Sequence, residues 1–188
     1  MKKVVIFEGL PGSGKTAVAD LLAANYGFIK INESKGFLDA DTRRKSQQEI
    51  FQDTLERYQA TKESQGEKII IDRGCFSILA WDCCEDALYH TEQLLEKSQW
   101  VNEGFTMGLL FQPTLYVYFK ITPRQSLNRK PRPMKRYDVW SGLAGLELCA
   151  YFYEGIFARC KKIGIPVLEL PAQWSVKRKG EAIINATI

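Results

Sequence analysis

The sequence predicts an α/β fold, a layer of parallel sheet between layers of helix, and three observations carry that expectation. Short apolar runs alternate with segments of helical periodicity along all 188 residues. The clearest run, Leu115–Ile121, alternates too little for a half-exposed strand and reads as buried on both faces, as a parallel strand under helices must be. No internal repeat or low-complexity linker interrupts the order, and the length suits one domain, residues 1–188. A chain of this size buries roughly 70% of its unfolded surface, so it needs no disulfide or metal to hold it together.

Val4–Phe7 is an apolar run short enough for a buried strand, and Thr16–Asn25, with Val18, Leu21 and Leu22 on one side, is a helix. Phe28–Ile31 is a second strand. Asp41–Ser64 is a long charged helix that carries Ile50, Phe51, Leu55 and Tyr58. Ile69–Ile71, β-branched throughout, is a strand. The stretch from Phe76 to about Trp100 reads as helical, since Phe76, Leu79, Ala80, Cys83, Cys84, Ala87 and Leu88 recur at helical spacing. After Leu115–Ile121 come a helix over Trp140–Lys162, a strand over Pro166–Leu170 and a weaker final helix over Ser175–Asn185.

Composition narrows the class. Charged residues make up 26% against 45% hydrophobic, with 14 Gly and 7 Pro, which excludes disordered and fibrous chains. No apolar run is long enough to span a bilayer as a helix. The N-terminus meets a charge after four apolar residues, so it lacks a signal-peptide core. Five Cys without a CxxC pair, and one His at position 90, assemble no zinc set of usual spacing. They read as reduced thiols of a cytoplasmic protein. The net charge of +4 is local: Lys120 to Arg136 holds seven basic residues and no acidic one, and the remainder has 19 positive against 22 negative.

Gly9-Leu10-Pro11-Gly12-Ser13-Gly14-Lys15-Thr16 fits the GxxxxGK[ST] pattern, with an apolar strand before it and an amphipathic helix after. Glycines allow positive φ and bring backbone N–H groups against phosphate oxygens at the positive end of a helix. Lys15 then reaches the β- and γ-phosphates of ATP, and the Thr16 hydroxyl takes a Mg²⁺ position. Asp72 closes the strand Ile69–Ile71, where ligands of such sheets bind, and is placed to hold Mg²⁺ directly or through water. Arg73 is placed to clamp an anionic group of the acceptor.

Phe7-Glu8-Gly9 leading into this loop, with Asp72-Arg73-Gly74-Cys75-Phe76-Ser77-Ile78-Leu79-Ala80-Trp81, resembles the thymidylate kinase and deoxynucleoside kinase group. Ile121-Thr122-Pro123-Arg124-Gln125-Ser126-Leu127-Asn128-Arg129 is similar to that group's strand, proline turn and short helix ending in Arg. The basic run, about 129–138, stands in the place of its arginine-bearing lid. The sequence departs from the group at Pro11, where thymidylate kinases have Asp, at Gly74, where they have Tyr and deoxynucleoside kinases Ser, and at Glu33-Ser34, where the latter have Glu-Pro.

The resemblance implies a three-layer P-loop kinase fold with a short arginine-rich lid, and an ATP- and Mg²⁺-dependent kinase of a nucleoside or nucleoside monophosphate. Arg129, Arg132 and Arg136 would close over the transferred group, with Arg124 pointing elsewhere and Pro131 and Pro133 marking a hinged flap. Glu33, after the second strand, is the candidate base if the acceptor is a hydroxyl; Asp39 and Asp41 compete for that role. Phe76 and Trp81 are the aromatics placed to stack on a planar acceptor. Lys177-Arg178-Lys179 reads as a solvated helix face. A kinase of another small hydroxyl compound stays open, as does a nucleotide-binding regulator, although no NKxD motif favours guanine. The basic run is not read as a nucleic-acid groove, since only Tyr137 and Trp140 lie near it. The resemblance also allows a homodimer through the long apolar helices.

Overall fold

The structure, a computed structural model, describes residues 2–33, 47–130 and 139–187. Strands β1 (Lys3–Glu8), β2 (Ile29–Ile31), β3 (Lys68–Asp72), β4 (Leu115–Lys120) and β5 (Val167–Pro171) form one parallel sheet in the order β2-β3-β1-β4-β5. β1 sits at its centre, and its carboxyl end lies beside that of β3, with Phe7 opposite Asp72. The helices are α1 (Lys15–Tyr26), α2 (Gln47–Glu63), α3 (Cys75–Tyr89), α4 (Leu94–Thr106), α5 (Pro123–Arg129), α6 (Leu143–Lys162) and α7 (Val176–Thr187).

Alternate residues of each central strand face opposite helix layers. Val5 and Phe7 of β1 and Val117 and Phe119 of β4 pack with Val18 and Leu22 of α1 and Ile183 of α7. Val4 and Ile6, with Tyr116 and Tyr118, pack with Leu79 of α3 and Tyr153 and Phe157 of α6. These two apolar layers make a sheet with both faces covered, so the strands read as continuous hydrophobic runs. Among the described residues no helix is long and apolar enough to cross a membrane.

One expectation needs correcting. The stretch 76–100 is two helices, broken where His90 (φ +54°) and Glu92 (φ +57°) take left-handed backbone. The cause is Asp86, whose carboxylate accepts from Thr91 Oγ1 (2.5 Å) and from the backbone N–H groups of Gln93 (2.9 Å) and Leu94 (2.8 Å). It satisfies donors at the start of α4 that a new helix leaves open. The five cysteines are free, four buried and Cys83 partly so.

Candidate active site

β1 runs directly into the loop Gly9–Gly14, and α1 begins at Lys15. Gly9 (φ +130°) answers two demands at once, because a Cβ there would also stand 2.7 Å from the Phe119 carbonyl oxygen. Gly14 (φ +92°) turns the chain into the helix, leaving the first N–H groups of α1 at the mouth of the loop. The loop curls around Lys15, whose ammonium donates to the carbonyls of Gly9 (2.8 Å) and Leu10 (2.9 Å) and to Ser13 Oγ (3.2 Å). Burial pushes the Lys15 amine down to about 7, and the charge of Arg73 presses the same way, against the pull of Asp72, Glu33 and Glu8.

Thr16 Oγ1 donates to Asp72 Oδ2 at 3.0 Å, so the two residues expected at a metal site stand together. The other carboxylate oxygen, Asp72 Oδ1, is buried with no hydrogen-bond partner among the described residues. A buried anionic oxygen left open is costly unless a ligand meets it. With the hydroxyl beside it, this hard oxygen set fits Mg²⁺, which takes one or two protein oxygens and fills its octahedron with water and phosphate.

On one flank, Ser126 Oγ donates to the Pro11 carbonyl (2.6 Å) and seats α5 on the loop. This brings Arg129 to it, its Cβ 3.2 Å from where a Cβ of Gly12 would stand. Arg124, on the same short helix, is exposed. Arg132, Arg136, Asp39 and Asp41 lie outside the described residues. Lys179 corrects the reading of 177–179 as a solvated face: it is buried, donating to the carbonyls of Ser13 (3.3 Å) and Ala172 (3.4 Å). It ties α7 to the phosphate loop.

Arg73 stands at the head of β3 with φ +66°, a backbone conformation uncommon for a residue with a side chain. Its Nε lies 2.5 Å from Glu33 Oε1, and Nη1 donates to the Gly9 carbonyl (3.1 Å) and Ser77 Oγ (3.3 Å). Its guanidinium carbon lies over Trp140, 4.5 Å from the ring centroid. Trp81 packs edge-on against that Trp140 at 4.8 Å, and Phe76 stacks on Tyr116 at 4.8 Å. Both belong to the core, which corrects the expectation that they stack on an acceptor. Gly74 follows Arg73 for reasons of space, since a Cβ would stand 2.8 Å from Ile6 Cγ2 and 3.3 Å from Glu8 Oε1.

Glu8, to which no role was attached, lies beneath this cluster and is fully buried. It accepts from the Gly74 N–H (2.9 Å), from Ser77 Oγ and from the Tyr153 hydroxyl (3.3 Å). Burial pushes its carboxyl up to about 7 against the pull of Ser77, Arg73 and Lys15. A charged residue closing an apolar strand was the available signal, because such a group is buried only with partners.

No protein-family model matches the chain, and no curated protein matches it. Solved structures do. A deoxyadenosine kinase from M. mycoides, with products dCMP and a flexible dCDP bound, superposes with a TM-score of 0.73 at 15% identity over 97% of both chains. The same kinase with bound dATP gives 0.67 at 15% identity over 97% of each chain. The thymidylate kinase of Candida albicans gives 0.69 at 16% identity, over 98% of this chain and 90% of its own. The chain therefore has the fold of these P-loop nucleoside and nucleotide kinases.

Proposed function

We propose that the chain is an ATP- and Mg²⁺-dependent kinase that moves the γ-phosphate to a hydroxyl of a small acceptor, a nucleoside foremost. The observation that carries the choice is the Glu33–Arg73 ion pair, 2.5 Å apart beside Asp72 at the mouth of the phosphate loop. A nucleoside monophosphate would bring its own anion to Arg73, where the Glu33 carboxylate already stands and would repel it. A hydroxyl acceptor has no such conflict and gives the carboxylate work as a base. Phosphoryl transfer asks mainly for position and charge compensation. The fold shared with a deoxyadenosine kinase and a thymidylate kinase suits phosphoryl transfer to either kind of acceptor and leaves the choice to the site.

In this scheme the backbone N–H groups of the loop and the Lys15 ammonium hold the β- and γ-phosphates. Thr16 and Asp72 would hold Mg²⁺, which when bound offsets charge on the phosphate oxygens. Glu33 accepts the proton of the attacking hydroxyl, and Arg73 aims that carboxylate. Arg129, joined by Arg132 and Arg136, closes over the transferred group. The whole chain works as one domain on a small molecule, and its five free thiols suit the reducing cytoplasm.

ATP consumption measured against a panel of nucleosides, nucleoside monophosphates and other small hydroxyl compounds tests the assignment. Stimulation by a nucleoside is expected. Stimulation by monophosphates alone overturns the hydroxyl reading, and stimulation by nothing favours a nucleotide-binding regulator.

A further inference from the structure

Glu33 and Arg73 meet beyond the point where the sheet holds their strands together. The β2–β3 register ends at Ile31 opposite Ile71, so neither residue of the ion pair is fixed by it. A single side chain spans the gap. Arg57, on α2, donates from Nε to the Asn32 carbonyl (2.9 Å) and from Nη2 to the carbonyls of Asp72 (2.6 Å) and Arg73 (2.7 Å). Those oxygens belong to the residue before Glu33 and to the Asp-Arg pair itself.

The left-handed backbone of Arg73 makes this grip matter. Such a conformation persists in a non-glycine residue only where its surroundings over-determine it. Here the Arg73 N–H is held by the Phe7 carbonyl (2.9 Å), and its own carbonyl by Arg57. A guanidinium is rigid and planar and offers several donors in fixed directions; an ammonium on a flexible stem does not. Arg57 also lines the cavity walled by Glu33, Asp53, Arg73 and Ser77, and its charge is offset there by Asp53.

The geometry points to Arg57 as a positioning residue for phosphoryl transfer: by gripping the main-chain oxygens of Asn32, Asp72 and Arg73, it sets the spacing and aim of the Glu33–Arg73 pair. This rests on the kinase reading above, and the test separates the two.

Arg57→Lys keeps the charge and loses the fork, while Arg57→Met loses both. With the best nucleoside of the panel, kcat should fall about 10²-fold in Arg57→Met and about 10-fold or more in Arg57→Lys, with KM for ATP within about twofold of the parent. The split is expected because Arg57 holds Asp72 and Arg73 by their main-chain oxygens, and its described contacts reach neither the phosphate loop nor the Asp72 carboxylate. NMR of protein labelled with ¹⁵N-arginine supplies a readout free of turnover. The Nε–H of Arg73, assigned by its loss in Arg73→Lys, should be shielded from solvent exchange in the parent and should exchange about tenfold faster in Arg57→Lys. An unshifted Arg73 signal in a variant of lower Tm, or kcat and KM for ATP worsening together, would mean a purely structural role and overturn the inference. If the parent phosphorylates no acceptor of the panel, the kinase reading fails, and the Arg73 signal still decides whether Arg57 controls the pair.

Discussion

The phosphate loop and the acceptor side of the site lie within one hydrogen bond of each other, at the Gly9 carbonyl shared by Lys15 and Arg73, yet they are assembled differently. The motif Gly9–Thr16 is eight consecutive residues, and Lys15 finds its partners two to six positions back along the chain. The acceptor side brings Glu8, Arg57, Arg73, Ser77 and Tyr153 from separate strands and helices, with Tyr153 reaching Glu8 across 145 positions. Backbone builds the first and side chains build the second. The loop should therefore tolerate remote change and fail on single local ones, while the acceptor side should respond to substitutions far from the reacting atoms. The charges differ as well: the loop buries a cation whose pKa is pushed down, the acceptor side a carboxyl pushed up, and the two meet at about 7.

Removing the cation of the loop should have the largest effect. Lys15→Ala is expected to lower transfer by about 10³-fold or more with the fold intact by circular dichroism, since in the proposed scheme Lys15 holds the phosphates. A fully active variant would sink the scheme. On the acceptor side, Glu33→Gln should lower kcat by about 10²-fold or more with little change in KM for ATP, as loss of a general base does. Little effect would instead point to an acceptor that is already a phosphate.

Gly9→Ala probes the backbone-built half. The positive φ and the 2.7 Å approach to the Phe119 carbonyl should together cost about 2–3 kcal/mol, seen as a lower midpoint in urea unfolding.

The paired pKa values make a subtler prediction. Folded Glu8 holds its proton to about 7 against its usual 4.5, so over that window the folded chain binds more protons and stability falls as pH rises. Folded Lys15 gives its proton up at about 7 against its usual 10.5, so above 7 the unfolded chain binds more and stability rises with pH. Each slope is at most about 1.4 kcal/mol per pH unit. Their sum is a stability minimum near neutrality, with stability rising on both sides of it between about pH 5 and 9. Unfolding measured across that range should show it, with Glu8→Gln removing the acid-side slope and Lys15→Met the alkaline one.

The smallest effect sharpens the comparison most. Phosphate oxygens beside Lys15 favour its charged form, so ATP binding near pH 7 should take up about half a proton. Calorimetry in buffers of different ionisation enthalpy reads this directly, and uptake should vanish in Lys15→Met.

The phosphate half was legible along the chain because glycine spacing, one lysine and one hydroxyl act through the local backbone. The placement of Asp72 and Arg73 beside the loop was legible for a related reason: a residue that ends a buried parallel strand stands at the carboxyl edge of the sheet. Other features were not. The break between α3 and α4 depends on Asp86 reaching five to eight residues forward, against a helical periodicity that continues through Leu88. Lys179 looked solvated among its basic neighbours and is buried because α7 packs on α1 and the loop. Arg57 lies on a charged helix, and nothing in the neighbouring sequence sets it apart.

Periodicity and spacing along the chain were sufficient for the α/β class, the five strands and the phosphate loop, since strand burial, helix faces and glycine turns are decided by near neighbours. Packing alone decided that Glu33 meets Arg73, that Arg57 grips both strand ends, and that Glu8 lies buried with Ser77 and Tyr153. Those contacts join residues that no local rule relates. They exist because the sheet places β1 between β3 and β4 and lays α3 and α6 across one of its faces.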